Sequence, residues 1–567
     1  MHAYLWRPGL SIPNDIEIAN AHPPQPITQV AESIGLNSDD LTLYGRDKAK
    51  VNYTALEKSH RKEGQLILVS AITPTPAGEG KTTVSIGLAQ GLKRLNKSVT
   101  LALREPSMGP LFGIKGGATG GGYSQLIPME EINLHFNGDF PAISAANNLL
   151  AAALDNAIYH RKLPALDPRR VIFPRVLDIN DRALRNTIIG LGGRKMGVPR
   201  ETEFDITAAS EVMAILALSN NYRELKERLN RILLGITYND QPVTAKSLNV
   251  TGAMAAILKD AIHPNLVQSL EGVPAFVHCG PFANIAHGSN SVLATRMALA
   301  HSDYTVTEAG FGFDLGAEKF FDITCRAGDF APEICVLVVT VRALKMHSGV
   351  ASSELRNPDP EAVRLGLPNL EKHIENINKF QVPVVVAINQ FQSDSPEEIR
   401  VIENYCSEKS IAVATANVHE LGGEGGIALA QTVLDRMCDD CQLPLKPLYD
   451  YNWTPEEKIR VIASEIYGAE HVDYTTKGKQ DLEMVYHLGY DKTAICIAKT
   501  QKSLSDNPKL LGRPKDFVVT VRHIEIAAGA GFIIPLTGDI LRMPGMPESP
   551  AYEKIDLLDN GKITGLQ

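Results

Sequence analysis

Short apolar runs and stretches of helical periodicity alternate along most of the chain. Residues 65–71 have the length and composition of a buried strand, and residues 84–92 carry apolar side chains at helical spacing. Further strand-sized runs recur at 98–103, 336–341 and 382–391. Such alternation of strands and helices predicts an α/β fold with a mostly parallel, doubly wound sheet in a large domain.

The segment between the first of these strands and its helix, residues 73–83, reads Thr-Pro-Thr-Pro-Ala-Gly-Glu-Gly-Lys-Thr-Thr. Small residues let backbone N–H groups approach phosphate oxygens, and the helix N-terminus adds a positive end. In such a P-loop Lys81 reaches the β- and γ-phosphates of a nucleotide, and the Thr82 hydroxyl holds Mg²⁺. The pattern usually opens with glycine where this chain has Thr75, and a plain strand–helix turn is the alternative interpretation. The residues predicted to bind the nucleotide are Thr75, Pro76, Ala77, Gly78, Glu79, Gly80, Lys81 and Thr82.

A cationic position follows the strand predicted at 98–103, which ends in Arg104 and Glu105. The spacing is that of a βαβ unit, so both strand ends face one crevice, and Arg104 is expected one strand over from the phosphate loop. A surface ion pair of Arg104 with Glu105 is the alternative. The glycine-rich segment 112–123 comes next, and it suits either close backbone approach to a ligand or a flexible connector.

Two more cations, Arg342 and Lys345, stand beyond the strand predicted at 336–341. A phosphate loop, glycine-rich strand exits and separate cationic exits together favour ATP that activates a second small ligand. A carboxylate that attacks the γ-phosphate is an anion approaching an anion, so the site must supply neutralising cations. We therefore predict that Arg104, with Lys345 as a further candidate, binds the second anion.

Composition and length narrow the class of protein. The chain has 567 residues, too many for one core, and its 44% hydrophobic and 21% charged residues are typical of soluble globular proteins. A net charge of −9 argues against a general nucleic-acid binder, and seven cysteines do not suggest a disulfide framework. The first residues lack the apolar core of a signal peptide, and no apolar run approaches the roughly 20 residues that span a bilayer. We expect a cytoplasmic protein with no membrane contact.

The length of the chain predicts about three to four domains, and we divide it into three. Residues 1–380 would form the nucleotide-binding domain, residues 381–495 a second α/β domain, and residues 496–567 a small C-terminal domain. A Cys-x-x-Cys pair, Cys438 and Cys441, lacks the second pair that a zinc ribbon requires, and we interpret it as structural.

Seven sequence blocks resemble, in order, the formate–tetrahydrofolate ligase family, also called formyltetrahydrofolate synthetases. The blocks are residues 73–83, 103–110, 112–123, 132–138, 281–288, 307–321 and 340–347. The resemblance covers essentially the full length and implies a monofunctional ligase. In the implied reaction, formate attacks the γ-phosphate of ATP, and the N10 amine of tetrahydrofolate takes the formyl group from formyl phosphate. The products are 10-formyltetrahydrofolate, ADP and phosphate.

The resemblance also implies cofactors and an assembly: Mg²⁺, activation by a monovalent cation (K⁺ or NH₄⁺), and a homotetramer. Carried over by position, it assigns Lys81 to the phosphates and Arg104 to formyl phosphate, both as catalytic residues. It places Mg²⁺ on Thr82 through ATP and the monovalent cation at Glu105.

The folate side of the implied site rests on an aromatic pair that stacks on the pterin ring. Phe391 matches one member of that pair, whereas the other, usually Trp, is His419 here. A His ring offers less stacking area, so we expect weaker folate binding or a compensating contact elsewhere. Tyr123, which closes the glycine-rich block, completes the predicted substrate-binding residues. The folate could carry a polyglutamate tail.

Two other functions stay open at this point. The Gly-Glu-Gly-Lys-Thr-Thr core and Thr75 also occur in dimeric P-loop switch ATPases that act by binding partner proteins, although these are usually much shorter. A pseudoenzyme is the third possibility because of His419, although Lys81, Thr82 and Arg104 are all present. ADP release that depends on formate would favour the ligase.

Overall fold

A computed structural model gives the structure of the chain. It describes residues 13–59, 61–113, 119–163, 165–282, 284–437, 444–538 and 540–566. The Cys-x-x-Cys pair and residues 114–118 of the glycine-rich segment therefore lie outside the described residues.

Helices and strands alternate through the first three quarters of the chain, as the apolar pattern predicts. The strands are β1 (Leu41–Leu43), β2 (Ala49–Val51), β3 (Gln65–Ala71), β4 (Val99–Leu103), β5 (Gly120–Gly121), β6 (Ser124–Ile127), β7 (Leu166–Val171), β8 (Arg175–Leu177), β9 (Thr187–Ile189), β10 (Arg200–Thr202), β11 (Phe204–Ile206), β12 (Leu233–Thr237), β13 (Pro242–Thr244), β14 (Asn265–Ser269), β15 (Pro274–Val277), β16 (Tyr304–Glu308), β17 (Ile334–Val339), β18 (Val384–Asn389), β19 (Ala412–Ala416), β20 (His471–Tyr474), β21 (Ala494–Ile495), β22 (Val518–Val521), β23 (His523–Ala527), β24 (Phe532–Leu536), β25 (Asp556–Leu557) and β26 (Ile563–Thr564).

The α-helices are α1 (Asp15–Ala21), α2 (Ile27–Ser33), α3 (Ala55–Lys58), α4 (Lys81–Arg94), α5 (Met108–Phe112), α6 (Met129–Asn133), α7 (Asp139–Tyr159), α8 (Glu211–Leu218), α9 (Tyr222–Arg231), α10 (Thr251–Ile257), α11 (Val292–His301), α12 (Arg326–Gly328), α13 (Val341–His347), α14 (Pro360–Lys379), α15 (Pro396–Glu408), α16 (Val418–Leu421), α17 (Ile427–Arg436), α18 (Pro455–Val461) and α19 (Thr476–His487). Segments of π-helix occupy Phe313–Ala317, Phe320–Cys325 and Ile462–Tyr467.

One large sheet organises the chain, in the order β1-β2-β14-β15-β4-β16-β3-β17-β18-β19. The seven strands from β15 to β19 along this order pair in parallel, whereas β1, β2 and β14 pair antiparallel. In register, Val69 of β3 lies opposite Glu308 of β16 and Val336 of β17. The carboxyl ends of the central strands therefore meet at one edge, where open α/β sheets bind ligands.

Both faces of the sheet are buried. Alternate residues of β3 point to opposite sides, so Leu66 and Leu68 belong to one apolar cluster and Ile67 and Val69 to another. Helices α4 and α17 cover the second face, and α14 and the π-helical segments contribute to the cluster on the first. Each fully buried side chain of this kind contributes about 1.5–3 kcal/mol relative to exposure. The predicted doubly wound α/β architecture is confirmed.

The last part of the chain packs against the first face of the large sheet. It contains a parallel pair, β20 with β22, and a three-stranded sheet in the order β21-β24-β23. Ile495, Val519 and Phe532 from these strands belong to the same buried cluster as Leu66 and Leu68.

The predicted boundary near residue 380 falls between β17 and β18, which are hydrogen-bonded neighbours in the large sheet. The division of the chain into three domains stays a prediction. Among the residues that the structure describes, no helix combines the length and the apolar character needed to cross a membrane.

Candidate active site

The loop after β3 is shaped by two glycines with left-handed backbone. Gly78 has φ +77° and Gly80 has φ +69°, conformations that glycine adopts without steric cost. Gly80 immediately precedes α4, and a Cβ at this position would lie only 2.5 Å from Asn389 Nδ2. Thr75, where the usual pattern has glycine, is not among the residues with positive φ, so a side chain fits there. Lys81 and Thr82 begin the helix, as the sequence predicts.

Glu79 holds this loop together from within. Its Oε1 accepts a 2.6 Å hydrogen bond from the Thr75 N–H, and its Oε2 accepts one from the Thr340 hydroxyl. The Glu79 carbonyl accepts a 2.9 Å bond from Asn389 Nδ2. With 1% of its surface exposed, Glu79 shapes the loop from within through its side chain.

A carboxylate from the neighbouring strand meets the start of α4. The Thr82 hydroxyl donates a 2.8 Å hydrogen bond to Oε2 of Glu308, the last residue of β16. Phosphate loops pair such a hydroxyl with an acid at the end of an adjacent strand, and the two hold Mg²⁺ on the nucleotide. The sequence reasoning missed Glu308. Its position at the carboxyl end of a buried strand was the available signal.

Arg104 lies two strands from the phosphate loop, because β16 inserts between β4 and β3. The expectation that it sits one strand over is therefore wrong. Its guanidinium leans back over the exit of β16: a Cβ on Gly310 would lie 2.8 Å from Arg104 Nη1. Among the described residues, no hydrogen bond or ion pair engages this half-buried cation. It is thus available to an anion beside the loop.

Glu105 is buried, which overturns the alternative of a surface ion pair with Arg104. Burial first, and the neighbouring Asp139 carboxylate second, raise the pKa of Glu105 well above its ordinary value. Lys50 Nζ lies 2.6 Å from Asp139 Oδ1. Within the described part of the chain, Glu105 Oε2 has no hydrogen-bond partner. This orphaned oxygen in an acidic pocket has the chemistry of a cation ligand.

The two cations after β17 have different surroundings. The Arg342 guanidinium donates to the Gly78 carbonyl and lies 4.3 Å from the centre of the Phe391 ring. Lys345 is buried in an ion pair with Glu398, 2.7 Å from its Oε1. Lys345 is therefore structural, and its prediction as a second anion-binding residue is wrong. Arg342 instead bridges the phosphate loop and the exit of β18.

Phe391 and His419 follow neighbouring parallel strands, β18 and β19. His419 lies against the glycine-rich segment, and its carbonyl accepts a 2.9 Å hydrogen bond from the Tyr123 N–H. The structure thus brings His419 and Tyr123 together. Among the described residues, no ring contact joins Phe391 to His419, and the ring of Phe391 packs on Arg342 instead.

Fold and site together define a class: α/β proteins with a strand–loop–helix cradle, a cation that no described residue pairs, and an acid, all gathered at the carboxyl edge of a parallel sheet. The particular family follows from two comparisons. Residues 13–567 match the model of the family described as formate–tetrahydrofolate ligase. A formate–tetrahydrofolate ligase of Syntrophus aciditrophicus (strain SB) is 55% identical over 543 residues, which cover 96% of each chain. The chain belongs to the formate–tetrahydrofolate ligase family, and it is a ligase.

Proposed function

We propose that this ligase joins formate to tetrahydrofolate with ATP, through formyl phosphate. A formate oxygen attacks the γ-phosphorus, and the bond from that phosphorus to the bridging oxygen breaks, which releases ADP. The N10 amine then attacks the formyl carbon and loses its proton, and inorganic phosphate leaves. The products are 10-formyltetrahydrofolate, ADP and phosphate.

The observation that carries this proposal is the guanidinium of Arg104 over Gly310, which has no hydrogen bond or ion pair among the residues that the structure describes. It stands beside the exits of β16 and β3, where a small anion would meet the γ-phosphate. Two anions approach each other in this step, and a fixed cation with no ion pair to break can stabilise their combined charge. Arg104 would therefore hold formate and then formyl phosphate.

The nucleotide end of the site would use the loop and the start of α4. Lys81 would bind the β- and γ-phosphates, while the backbone of residues 75–80 surrounds them. The Thr82 hydroxyl and the Glu308 carboxylate, joined at 2.8 Å, fit a Mg²⁺ ion carried by ATP. Such an ion neutralises charge on the phosphate oxygens.

The folate end would lie at the exits of β18 and β19. Phe391 would stack on one side of the pterin ring through the face that Arg342 leaves uncovered, and His419 with Tyr123 would bound the other side. The Arg342–Phe391 contact supplies a rigid platform. We infer that this platform offsets part of the stacking area that His419 lacks relative to Trp.

The orphaned Oε2 of Glu105, with Asp139 beside it, fits a monovalent cation such as K⁺ or NH₄⁺. Such a cation would fix the start of the loop that carries Arg104. We further propose that the enzyme acts in the cytoplasm as a homotetramer.

A coupled assay that follows 10-formyltetrahydrofolate and ADP together tests the reaction. We expect ADP release to require formate, and multiple turnovers to require tetrahydrofolate in equal amounts. Lys81→Ala should abolish both signals, because it removes the cation at the phosphates. Formate-independent hydrolysis stimulated by a protein partner would instead establish a switch ATPase.

A further inference from the structure

A two-residue turn, Gly122 and Tyr123, closes the hairpin of β5 and β6. The strand pairing ends at Gly121 opposite Ser124, so these two residues alone reverse the chain. Gly122 has φ +57°, a left-handed conformation that such turns require and that glycine adopts without steric cost. A Cβ at Gly122 would overlap the His419 carbonyl. The backbone of the turn therefore lies directly against the segment that carries His419.

Elements outside the hairpin hold three backbone groups of this turn. The Gly122 N–H donates a 2.7 Å hydrogen bond to Asp15 Oδ1 of α1. The Tyr123 N–H donates to the His419 carbonyl of α16 at 2.9 Å, and the Tyr123 carbonyl accepts a 3.3 Å bond from Gln90 Nε2 of α4. The position of the turn thus depends on α1, α4 and α16 together.

Helix α1 gives Asp15 a fixed base. Ile16 and Ala19 of this helix belong to a buried apolar cluster that also contains residues of α5, β6 and α6. Gln125 Nε2 donates a 2.9 Å bond to the Asp15 carbonyl and a 2.8 Å bond to the Gly122 carbonyl. The helix and the turn are therefore joined both through the Asp15 carboxylate and through Gln125.

The second carboxylate oxygen of Asp15 lies beside the ring of His419. A Cβ on Gly121 would lie 3.3 Å from Asp15 Oδ2, 3.5 Å from His419 Cδ2 and 3.6 Å from His419 Nε2. Both side chains therefore border the same small space over Gly121. Asp15 is half-buried, and within the part of the chain that the structure describes no ion pair engages it. A carboxylate is also a stronger acceptor for a backbone N–H than a neutral oxygen is.

We propose that Asp15 is a positioning residue for tetrahydrofolate. Its carboxylate fixes the backbone of the turn, and the turn places Tyr123 and His419 on the side of the pterin ring opposite Phe391. Asp15 acts through these residues and does not touch the reacting atoms. The inference deepens the folate end of the proposed function and rests on it. It gives α1 a role in the affinity for folate and none in the binding of ATP or formate.

Steady-state kinetics in the coupled assay test this role, with each substrate varied in turn. Asp15→Ala should raise the KM for tetrahydrofolate about tenfold, the scale of a lost hydrogen bond to a charged acceptor. The kcat and the KM values for ATP and formate should stay within about twofold of the wild type, because the lost contact serves one substrate only. Asp15→Asn keeps an acceptor oxygen at the same place and should hold the KM for tetrahydrofolate within about threefold of the wild type.

Three kinetic results contradict the proposal. An unchanged KM for tetrahydrofolate in Asp15→Ala overturns it. A parallel loss in kcat and in all three KM values also overturns it, because that pattern marks a general structural defect. If Asp15→Asn has the same KM for tetrahydrofolate as Asp15→Ala, the acceptor oxygen is not the cause, and the proposal fails.

A substitution at Gly121 tests the same geometry without a change at Asp15. In Gly121→Ala the new methyl enters the space between Asp15 Oδ2 and the His419 ring, so we expect the KM for tetrahydrofolate to rise about fivefold at constant kcat. Gly121 is not among the glycines with positive φ, so the backbone accepts alanine. Glu17→Ala is the control, because Glu17 caps the start of α1 and does not contact the turn. An equal rise in the Glu17 variant would assign the effect to the stability of α1 and overturn the proposal.

Binding without turnover separates this inference from the proposed reaction. Isothermal titration calorimetry with tetrahydrofolate, in the absence of ATP and formate, should give a Kd about tenfold higher for Asp15→Ala than for the wild type. A wild type that binds tetrahydrofolate but forms no 10-formyltetrahydrofolate refutes the proposed reaction alone. Equal Kd values in the two proteins refute the positioning role alone, and a wild type that does not bind tetrahydrofolate refutes both.

Discussion

The carboxyl edge around the phosphate loop and a cavity beside β10 both gather ionisable groups, but they use their cations differently. The cavity has a volume of about 710 Å³, and its lining includes Glu203, Asp205, Glu525 and Arg542. At the loop, the acids accept hydrogen bonds from neutral donors: Glu79 from Thr75 and Thr340, and Glu308 from Thr82. Among the residues that the structure describes, the cation Arg104 has no hydrogen bond or ion pair. In the cavity, Arg542 pairs with Glu203, Asp205 and Glu525, and Lys477 pairs with Asp481.

This difference shows that an anion-binding site is recognised by a cation that no carboxylate pairs, more than by the number of ionisable groups nearby. Neutral donors satisfy an acid at the loop without using a cation, so the positive charge stays available to anionic substrates. In the cavity, Arg542 serves three carboxylates at once, and burial raises the pKa of Asp205 to about 7. We therefore expect anion chemistry at the loop and not in the cavity.

The largest expected effect is the loss of the free cation. Arg104→Ala should lower kcat/KM for formate by about 10³-fold, since fixed electrostatic stabilisers of a transition state contribute on this scale. Arg364→Ala, an exposed arginine paired with Glu361, should leave kinetics unchanged. Steady-state kinetics with formate as the varied substrate check both. A loss under tenfold in the Arg104 variant would remove Arg104 from the proposed role.

Arg104 can also be displaced without being removed. In Gly310→Ala the new methyl would lie 2.8 Å from Arg104 Nη1, so the guanidinium must move. We expect a loss of about 30-fold, because small misplacements of a charged group are costly. Gly252→Ala, where a Cβ meets no atom within 4 Å, is the control. Unchanged activity in the Gly310 variant would contradict the placement of Arg104.

The third prediction concerns the cavity side of the comparison. The folded-state pKa of Asp205 is raised to about 7 from 3.8, mainly by burial. The folded state therefore holds its proton longer than the unfolded chain does, and the stability from this group, present below about pH 4, is lost as pH rises through 7. Between pH 5 and 8 the loss should reach about 3 kcal/mol, given about 1.4 kcal/mol per pKa unit.

Urea unfolding across this pH range measures the effect, with Asp205→Asn as the reference that lacks the titrating group. The difference between wild type and Asp205→Asn should change with pH in the stated direction. A pH-independent difference would mean that Asp205 is ionised throughout, held by Arg542.

The smallest expected effect is at Arg342, which connects the proposed nucleotide end of the site to its proposed folate end. Arg342→Met should remove the hydrogen bond to the Gly78 carbonyl and the cation–π contact with Phe391. We expect the KM for ATP and for tetrahydrofolate each to rise about five- to tenfold, since such contacts contribute about 1 kcal/mol each. Arg400→Met, an exposed arginine on α15, is the control. A rise in only one KM would show that Arg342 serves one end alone.

Local features were predicted well from the sequence. The apolar run at 65–71 coincides with β3, and the loop, Lys81 and Thr82 stand where the pattern places them. These depend on neighbours in the chain. The order of the strands in the sheet does not depend on such neighbours. Strand β16, more than 200 residues after β3, lies between β3 and β4, and no local sequence pattern predicts this position.

The partners of charged side chains could not be predicted from the sequence either. Lys345 and Arg342 both follow β17, and sequence alone treats them alike. Lys345 is buried in an ion pair with Glu398 of α15. Arg342 instead contacts the Gly78 carbonyl and the Phe391 ring. Glu308 was missed for the same reason, since its contact with Thr82 spans 226 positions in the chain.

In the proposed site, the strand order sets the distance between the substrates. One strand separates β3 from β4, and one separates β3 from β18, so the exits that carry Arg104 and Phe391 lie on either side of the loop. Paired strands lie about 4.8 Å apart, which puts each exit about 10 Å from that of β3. The backbone hydrogen bonds between neighbouring strands therefore fix the distance between these exits. A loop substitution can loosen one substrate, but only a change in strand pairing can alter the spacing that the transferred group must cross.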